Sequence, residues 1–318
     1  MKYELLIANK ESGSVWDVSE IAPGSVQYTT ERMGAPGKLT FSVMGMVDSF
    51  EEGDIVRLSV NGQLVFYGFV FTKMTDRWNV TQVTCYDRLR YLKANATYAF
   101  YDIKAGDIIR QIAEDLQIDV GEIEDTEYRI PSLIESDQSC LDIIQAAISQ
   151  TLLNTGMLYT LYDNGTGLSL KSSGEWFSET VLGDRSLVTD YTYQSDIDTN
   201  VYNSVKLVQP NEQTGRNDVY VAQDSDNIAR WGLLQLYQSV DGKLNAAQLA
   251  ERAKETLNYY NRVRRTLSLS SVGVDGLRAG MMVRILLPRV QSWCLIESCT
   301  HTYTNDDHSM ELEVYDLT

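Results

Sequence analysis

Short runs in which apolar and polar residues alternate dominate the first third of the chain. "YELLIAN" (3–9), "SVWDV" (14–18), "SVQYTTERM" (25–33), "KLTFSVMG" (38–45), "DIVRLSV" (54–60), "QLVFYGFVFTKM" (63–74) and "WNVTQVTCYDRL" (78–89) are rich in Val, Thr, Tyr and Phe, with Gly, Pro or Asn-Gly between them. That pattern predicts strands joined by tight turns. An open sheet of such strands would leave its edges unpaired, so residues 1–98 are expected to form a small barrel or sandwich, here taken as a β-barrel.

The period then lengthens. In "DIKAGDIIRQIAEDLQI", Ile108, Ile109, Ile112, Ala113 and Leu116 share one helical face, with Asp102 as the expected N-cap. A polar linker with Pro131 follows, and then a second helix, "SCLDIIQAAISQTLLNTG". Ser139 is placed to cap it, Ile143, Ile144, Ala147 and Ile148 form its apolar stripe, and Gly156 sits where a helix ends. "MLYTLYDNGTGLSLKSS" reads as a hairpin turning at Asn164-Gly165. Residues 99–175 are therefore expected to be a helix-hairpin module.

Strands return in the last third, as "SLVTDYTYQS", "VYNSVKLVQP", "NDVYVAQ", "RTLSLSSVG", "MMVRILLP", "SWCLIESCTHTYT" and "SMELEVYDL". One helix, "NAAQLAERAKETLNYYNRV", is set among them. Asn245 and Gln248 form a capping-box pattern, and Ala246, Leu249, Ala250, Ala253, Leu257 and Tyr260 form the stripe. A shorter helical turn is expected from Asn227 to Leu233. The predicted fold is α+β and mainly β: two small β-barrels, 1–98 and 176–318, flank the module at 99–175, and the second carries a helical insertion at about 225–262.

The two strand-rich ends echo one another. Phe41 of "LTFSV" precedes Gly53 of "GDIVRL" much as Leu269 of "LSLSSV" precedes Gly280 of "GMMVRI". Each copy then runs through a hairpin to a closing Tyr-Asp pair followed by a leucine, "VTCYDRL" at Tyr86 and "LEVYDLT" at Tyr315. A shared order of strand, Gly-led strand, hairpin and closing motif points to a structural duplication. Closed rings are the usual form of homo-oligomers. Three chains with two related barrels each would present six quasi-equivalent units.

Composition narrows the function. The chain has 318 residues, 43% hydrophobic, with 44 acidic against 27 basic residues and a net charge of -17. That balance disfavours a nucleic-acid grip, which needs clustered Lys and Arg. No apolar run is long enough for a signal peptide or a membrane span, so synthesis in a cytoplasm and no membrane association are expected. Four cysteines, Cys85, Cys140, Cys294 and Cys299, lack CxxC spacing and are expected as buried free thiols.

Catalytic chemistry finds little support. The two histidines, His301 and His308, flank Asp306 and Asp307 in "HTYTNDDH". A metal cluster is one reading, and a strand histidine beside a solvated turn is the simpler one. No Ser-His-Asp order is suggested, and "VLGDRSLV" around Ser186 lacks the second glycine of a nucleophile elbow. There is no phosphate-binding glycine loop. Glycosidases need only two carboxylates, which leaves "EIEDTE" from Glu122 and "SDID" from Ser195 open, although such runs are usually solvated loops. The 19 Tyr and 5 Trp would suit a carbohydrate platform, yet tyrosines scattered through strands are ordinary. No catalytic, cofactor-binding or metal-binding residue is assigned, and no cofactor is expected.

With the order barrel, helix-hairpin module, barrel in place, the chain resembles the hub proteins of contractile phage tails, particularly the XkdQ-like hubs of prophage and bacteriocin clusters. The carriers are "AGDIIRQIAEDLQI", "YRIPSLIESDQSCLDIIQAAISQTLLNTG", "DSDNIARWGLLQ", the helix from Ala246, and "LRAGMMVRI" ahead of "CTHTYTNDDHSMELEVYD". The resemblance implies a non-enzymatic structural hub: a homotrimeric ring at the baseplate centre, joining the tail tube or its initiator to the spike, beside LysM-type or wedge proteins. An acidic lumen would keep a passing polyanion from sticking. The alternatives are a tail-associated peptidoglycan hydrolase with a carboxylate pair and a carbohydrate-binding module.

Overall fold

The computed structural model describes residues 3–20, 24–45, 49–211, 215–240, 245–304 and 307–316. The fold is mainly β. Its first part contains β1 (Tyr3–Ala8), β2 (Val15–Asp17), β3 (Val26–Glu31), β4 (Lys38–Met44), β5 (Ile55–Val60), β6 (Gln63–Thr75) and β7 (Val80–Tyr86). They pair in the order β3-β4-β7-β6-β5-β1-β2. Alternation does what the sequence pattern requires: Leu5, Ile7, Leu39, Phe41, Val43, Val56, Leu58, Val83 and Cys85 point into one apolar cluster. Asn61 and Gly62, at φ 51° and 81°, close the β5–β6 hairpin between paired Val60 and Gln63, the left-handed pair of a two-residue turn.

A 3-10 turn, Arg88–Lys93, leads into the middle part: β8 (Asn95–Lys104), α1 (Ala105–Asp115), β9 (Val120–Ile123), β10 (Arg129–Ser139), α2 (Cys140–Thr155), β11 (Tyr159–Asp163) and β12 (Leu168–Ser172). Ser139 caps α2, its Oγ accepting from the Asp142 N–H at 3.1 Å, and Gly156 ends it at φ 72°. Asp102 does not cap α1. Strand β8 runs on to Lys104 because Ile103 pairs with Ile130 and Lys104 with Arg129 on β10, and the Asp102 carboxylate instead accepts from Arg129 Nε at 2.9 Å. The stretch read as a polar linker is β10 itself. Only Ile130 and Leu133 of that strand are fully buried, so its alternation is faint in the sequence.

The last part holds β13 (Phe177–Gly183), β14 (Val188–Asp196), β15 (Ser204–Asn211), β16 (Arg216–Gln223), α3 (Ser225–Trp231), β17 (Gln235–Ser239), α4 (Ala246–Tyr260), β18 (Arg264–Val272), β19 (Met282–Leu286), β20 (Trp293–Tyr303) and β21 (His308–Asp316). Between β14 and β18 lies more than helix. Strands β16-β15-β17 form a separate sheet, and Leu249, Ala253 and Leu257 of α4 pack on its Val205 and Leu207. The Asn245–Gln248 capping box is present. Ala246 and Ala250 are exposed and Thr256 is buried instead, because α4 rests on the sheet along a narrower stripe than the sequence implies.

The duplication is visible in the pairing. The first part runs β3-β4-β7-β6-β5-β1 and the last β14-β18-β21-β20-β19-β13, in the same chain order. Gly53 N–H donates to Val70 O at 2.8 Å and Val70 N–H to Asp54 O at 2.9 Å; Gly280 to Ile296 and Ile296 to Met281 repeat both distances. Both glycines sit at φ 94°. A register irregularity follows each time, between Val70 and Thr72 on β6 and between Ile296 and Ser298 on β20. One difference stands out: β1 runs antiparallel to β5, whereas β13 runs parallel to β19.

Candidate assembly interface

The two copies meet within the chain. Ser298–Tyr303 of β20 pairs antiparallel with Val26–Glu31 of β3, fusing both halves into one thirteen-stranded sheet. Backbone pairing is reinforced by side chains. Thr29 Oγ1 and Thr300 Oγ1 lie 3.0 Å apart, and Thr30 Oγ1 accepts from the Ala279 N–H at 3.0 Å. At the end of the seam the Arg32 N–H donates to Glu297 O and Arg32 Nε to Glu297 Oε2, both at 2.9 Å. Those two side chains are 9% and 23% exposed, so the charges are largely withdrawn from water and depend on one another. Tyr303, from β20, is buried in the core of the first half.

Just behind the seam sits the histidine pair. His301 Nε2 is 2.7 Å from Leu277 O, which can only accept, so that nitrogen carries the proton. His301 Nδ1 then accepts from His308 Nε2 at 2.9 Å. Burial pushes His301 down to about 4, with the Leu277 carbonyl pulling the other way, and burial also lowers His308 against the pull of Asp275. Burial favours the neutral form of both rings, Asp275 lies 3.5 Å from His308 Nδ1, and the two facing nitrogens are spent on each other rather than on a metal. Asp306 lies outside the described residues, and the Asp307 carboxylate accepts from the His308 N–H at 2.9 Å. Among the described residues no group of three or more His, Cys, Asp or Glu is placed to hold a metal ion. Burial pushes the Cys299 thiol up to about 12, and all four cysteines are buried and free.

The acidic runs are structural where they make contacts. Glu124 Oε2 accepts from the Ser172 N–H, and Asp125 pairs with Lys104 Nζ at 2.7 Å. Asp196 Oδ1 accepts from the N–H groups of Thr199 and Asp198 at 2.9 and 3.1 Å. Lys104 lowers the Asp125 pKa and the Thr199 amide lowers that of Asp196, opposite to what a general acid requires. Ser186 lies in the turn after β13, its hydroxyl donating to Gly183 O at 3.2 Å. A carboxylate pair that sequence reasoning missed, Asp87 and Asp163, lies where β7 meets the middle part. Arg88 Nη1 holds both Asp163 oxygens at 3.0 Å, while Asp87 accepts from the amides of Gly37 and Leu89. Burial, aided by the Asp163 charge, pushes Asp87 up to about 8. With Asp163 held by an arginine and Asp87 by backbone amides, the pair ties two parts of the chain together.

Comparison with known proteins follows the same outline. A family model described as YQBQ-like matches residues 26–315. YqbQ of Bacillus subtilis (strain 168) is 30% identical over 309 residues, spanning 93% of this chain and 92% of that one. The phage-like element PBSX protein XkdQ of the same strain is 29% identical over 309 residues, 93% of each. The crystal structure of the tail protein from Neisseria meningitidis MC58 shares the fold, with a TM-score of 0.74 over 100% of this chain and 97% of that one at 12% identity.

Proposed function

The chain belongs to the YQBQ-like family, and from that premise we propose that it is a structural component of a phage-like tail, specifically the baseplate hub of a contractile particle. Three copies form a ring in which each chain supplies two related half-sheets, so that a three-fold assembly presents six similar faces. Such a ring joins the six-fold tail tube, or its initiator, to a three-fold spike, beside LysM-type or wedge proteins of the baseplate. The division into barrels at 1–98 and 176–318 around a module at 99–175 belongs to the same proposal. So does a lumen that the net charge of -17 keeps repulsive to a passing polyanion.

The observation that carries this reading is the repeated pairing order, β3-β4-β7-β6-β5-β1 against β14-β18-β21-β20-β19-β13. A duplication kept through the register of individual hydrogen bonds is what a symmetry adaptor needs. Gold labelling of a tagged chain in purified particles is expected to mark one tail end. Labelling along the tube, or none, contradicts the proposal. Clearing of cell walls by the pure protein, lost on substituting one Asp or Glu, would favour the hydrolase instead.

A further inference from the structure

The seam inside the chain specifies a second seam between chains. On β20 the edge opposite β21 is occupied by β19 near Trp293 and then by β3 from Ser298 onward. On β6, the counterpart, the edge opposite β7 is occupied by β5 as far as Phe69, and among the described residues no strand follows. Likewise β3 has β4 on one side and β20 on the other, while its counterpart β14 has β18 alone and ends the sheet. The chain thus has one seam of this type filled and the two halves of another left open.

Register can be carried across residue by residue. Thr300 pairs with Glu311 as Met74 pairs with Gln82, and Thr29 pairs with Lys38 as Gln194 pairs with Thr266. The filled seam places Thr300 opposite Thr29. We infer that β6 of one copy pairs antiparallel with β14 of the next, with Met74 opposite Gln194 and Thr72 opposite Asp196.

The surface chemistry agrees. Met74, an apolar side chain on a strand edge, is 63% exposed, whereas its counterpart Thr300 is half-buried against the partner strand. Unpaired edges of this kind recruit strands unless blocked. On β14 the residue placed opposite Met74, Gln194, is itself exposed, so neither edge is covered within the chain at that position. The ion pair that closes the inner seam, Arg32 with Glu297, has Ile197 and Phe71 as counterparts, so the outer seam closes on an apolar contact. Because the outer seam needs no buried charge, its two edges can stay exposed until the copies meet.

The inference rests on the hub reading, and its test separates the two. Met74→Cys and Gln194→Cys are introduced together, and particles purified from producing cells are oxidised. Directly opposite strand residues come within disulfide reach, while residues four apart along a strand do not. The expected result is non-reducing dimers and trimers of the chain for the 74/194 pair, and at least ten-fold fewer for Met74→Cys with Asp190→Cys. Both substitutions of the test pair are at exposed positions, and the unsubstituted chain measures any contribution from its native thiols. Equal yields from the two pairs, monomer only, or a cross-link to a protein of another mass overturns the register. A hub located at the tail end without the 74/194 link rejects this inference and leaves the hub reading intact. The link without location at the tail end does the reverse.

Discussion

The seam between β3 and β20 and the open edges of β14 and β6 are equivalent strand positions in two settings. In the first, Val26, Tyr28, Thr30, Cys299 and His301 are buried, and an ion pair seals the end. In the second, Met74 and Thr75 are exposed and Tyr193 is half-buried. Equivalent backbone registers with unlike side chains teach that the strand plan sets where a partner goes, while side chains set when. A seam made during folding tolerates a buried ion pair and two histidines, because the chain supplies both partners at once. A seam made between copies cannot carry an uncompensated buried charge while it waits.

The largest expected effect breaks the equivalence of the two glycines. A Cβ on Gly280 would lie 2.5 Å from Thr160, whose hydroxyl is engaged with Ser173 at 2.7 Å, whereas a Cβ on Gly53 meets nothing within 4 Å. Gly280→Ala is expected to destabilise by more than about 3 kcal/mol, adding overpacking to left-handed strain, and Gly53→Ala by about 1–2 kcal/mol. Chemical denaturation of both variants tests this; equal losses would show that the second copy is looser at β19 than its packing implies.

Next is pH, because the position of His301 is held by Thr75 in the first copy. The folded His301 pKa lies near 4, below the ordinary 6.5, so the folded state resists protonation and the unfolded state does not. That stabilisation is complete above about pH 6.5 and is lost as pH falls toward 4, a change of about 3 kcal/mol. Urea midpoints between pH 7 and pH 4 should fall more steeply in the parent than in His301→Gln. Parallel slopes would contradict a neutral buried His301.

Arg32→Ala should cost about 2 kcal/mol, since it leaves Glu297 partly buried without its partner, while Ile197→Ala on the unfilled edge should cost under about 1 kcal/mol in the isolated chain. The smallest contrast is in the middle part. Ser139→Ala removes a true cap and should cost about 1 kcal/mol, whereas Asp102→Asn removes only an exposed ion pair at a position that Asn tolerates, and should shift the melting temperature less. Thermal melts of the two variants check this.

Much of this was legible in the sequence, and what was missed has a physical cause. Spacing in the sequence matches Phe41 with Leu269, Gly53 with Gly280 and Tyr86 with Tyr315, as the strand pairing does, because turns and core-facing positions constrain residue type strongly. The family resemblance and the mainly β fold also followed from element order. Strand β10 was hidden because it buries few residues, and Asp102 misled because capping preference cannot see the ribbon that keeps β8 extended. The Arg32–Glu297 pair and the Asp87–Asp163 cluster join residues far apart in sequence, and no local pattern announces such contacts. The seam itself was legible only in part. The repeat indicated that two copies exist, but edge pairing depends on how sheets turn in space.

The most direct test of the central claim is a cryo-electron microscopy reconstruction of the tail end, computed without imposed symmetry. The account predicts three copies of this chain in a closed ring, with the two half-sheets alternating at six similar positions and β14 of each copy lying along β6 of its neighbour. Six copies, a single copy, or two half-sheets at unrelated positions about the axis would contradict it.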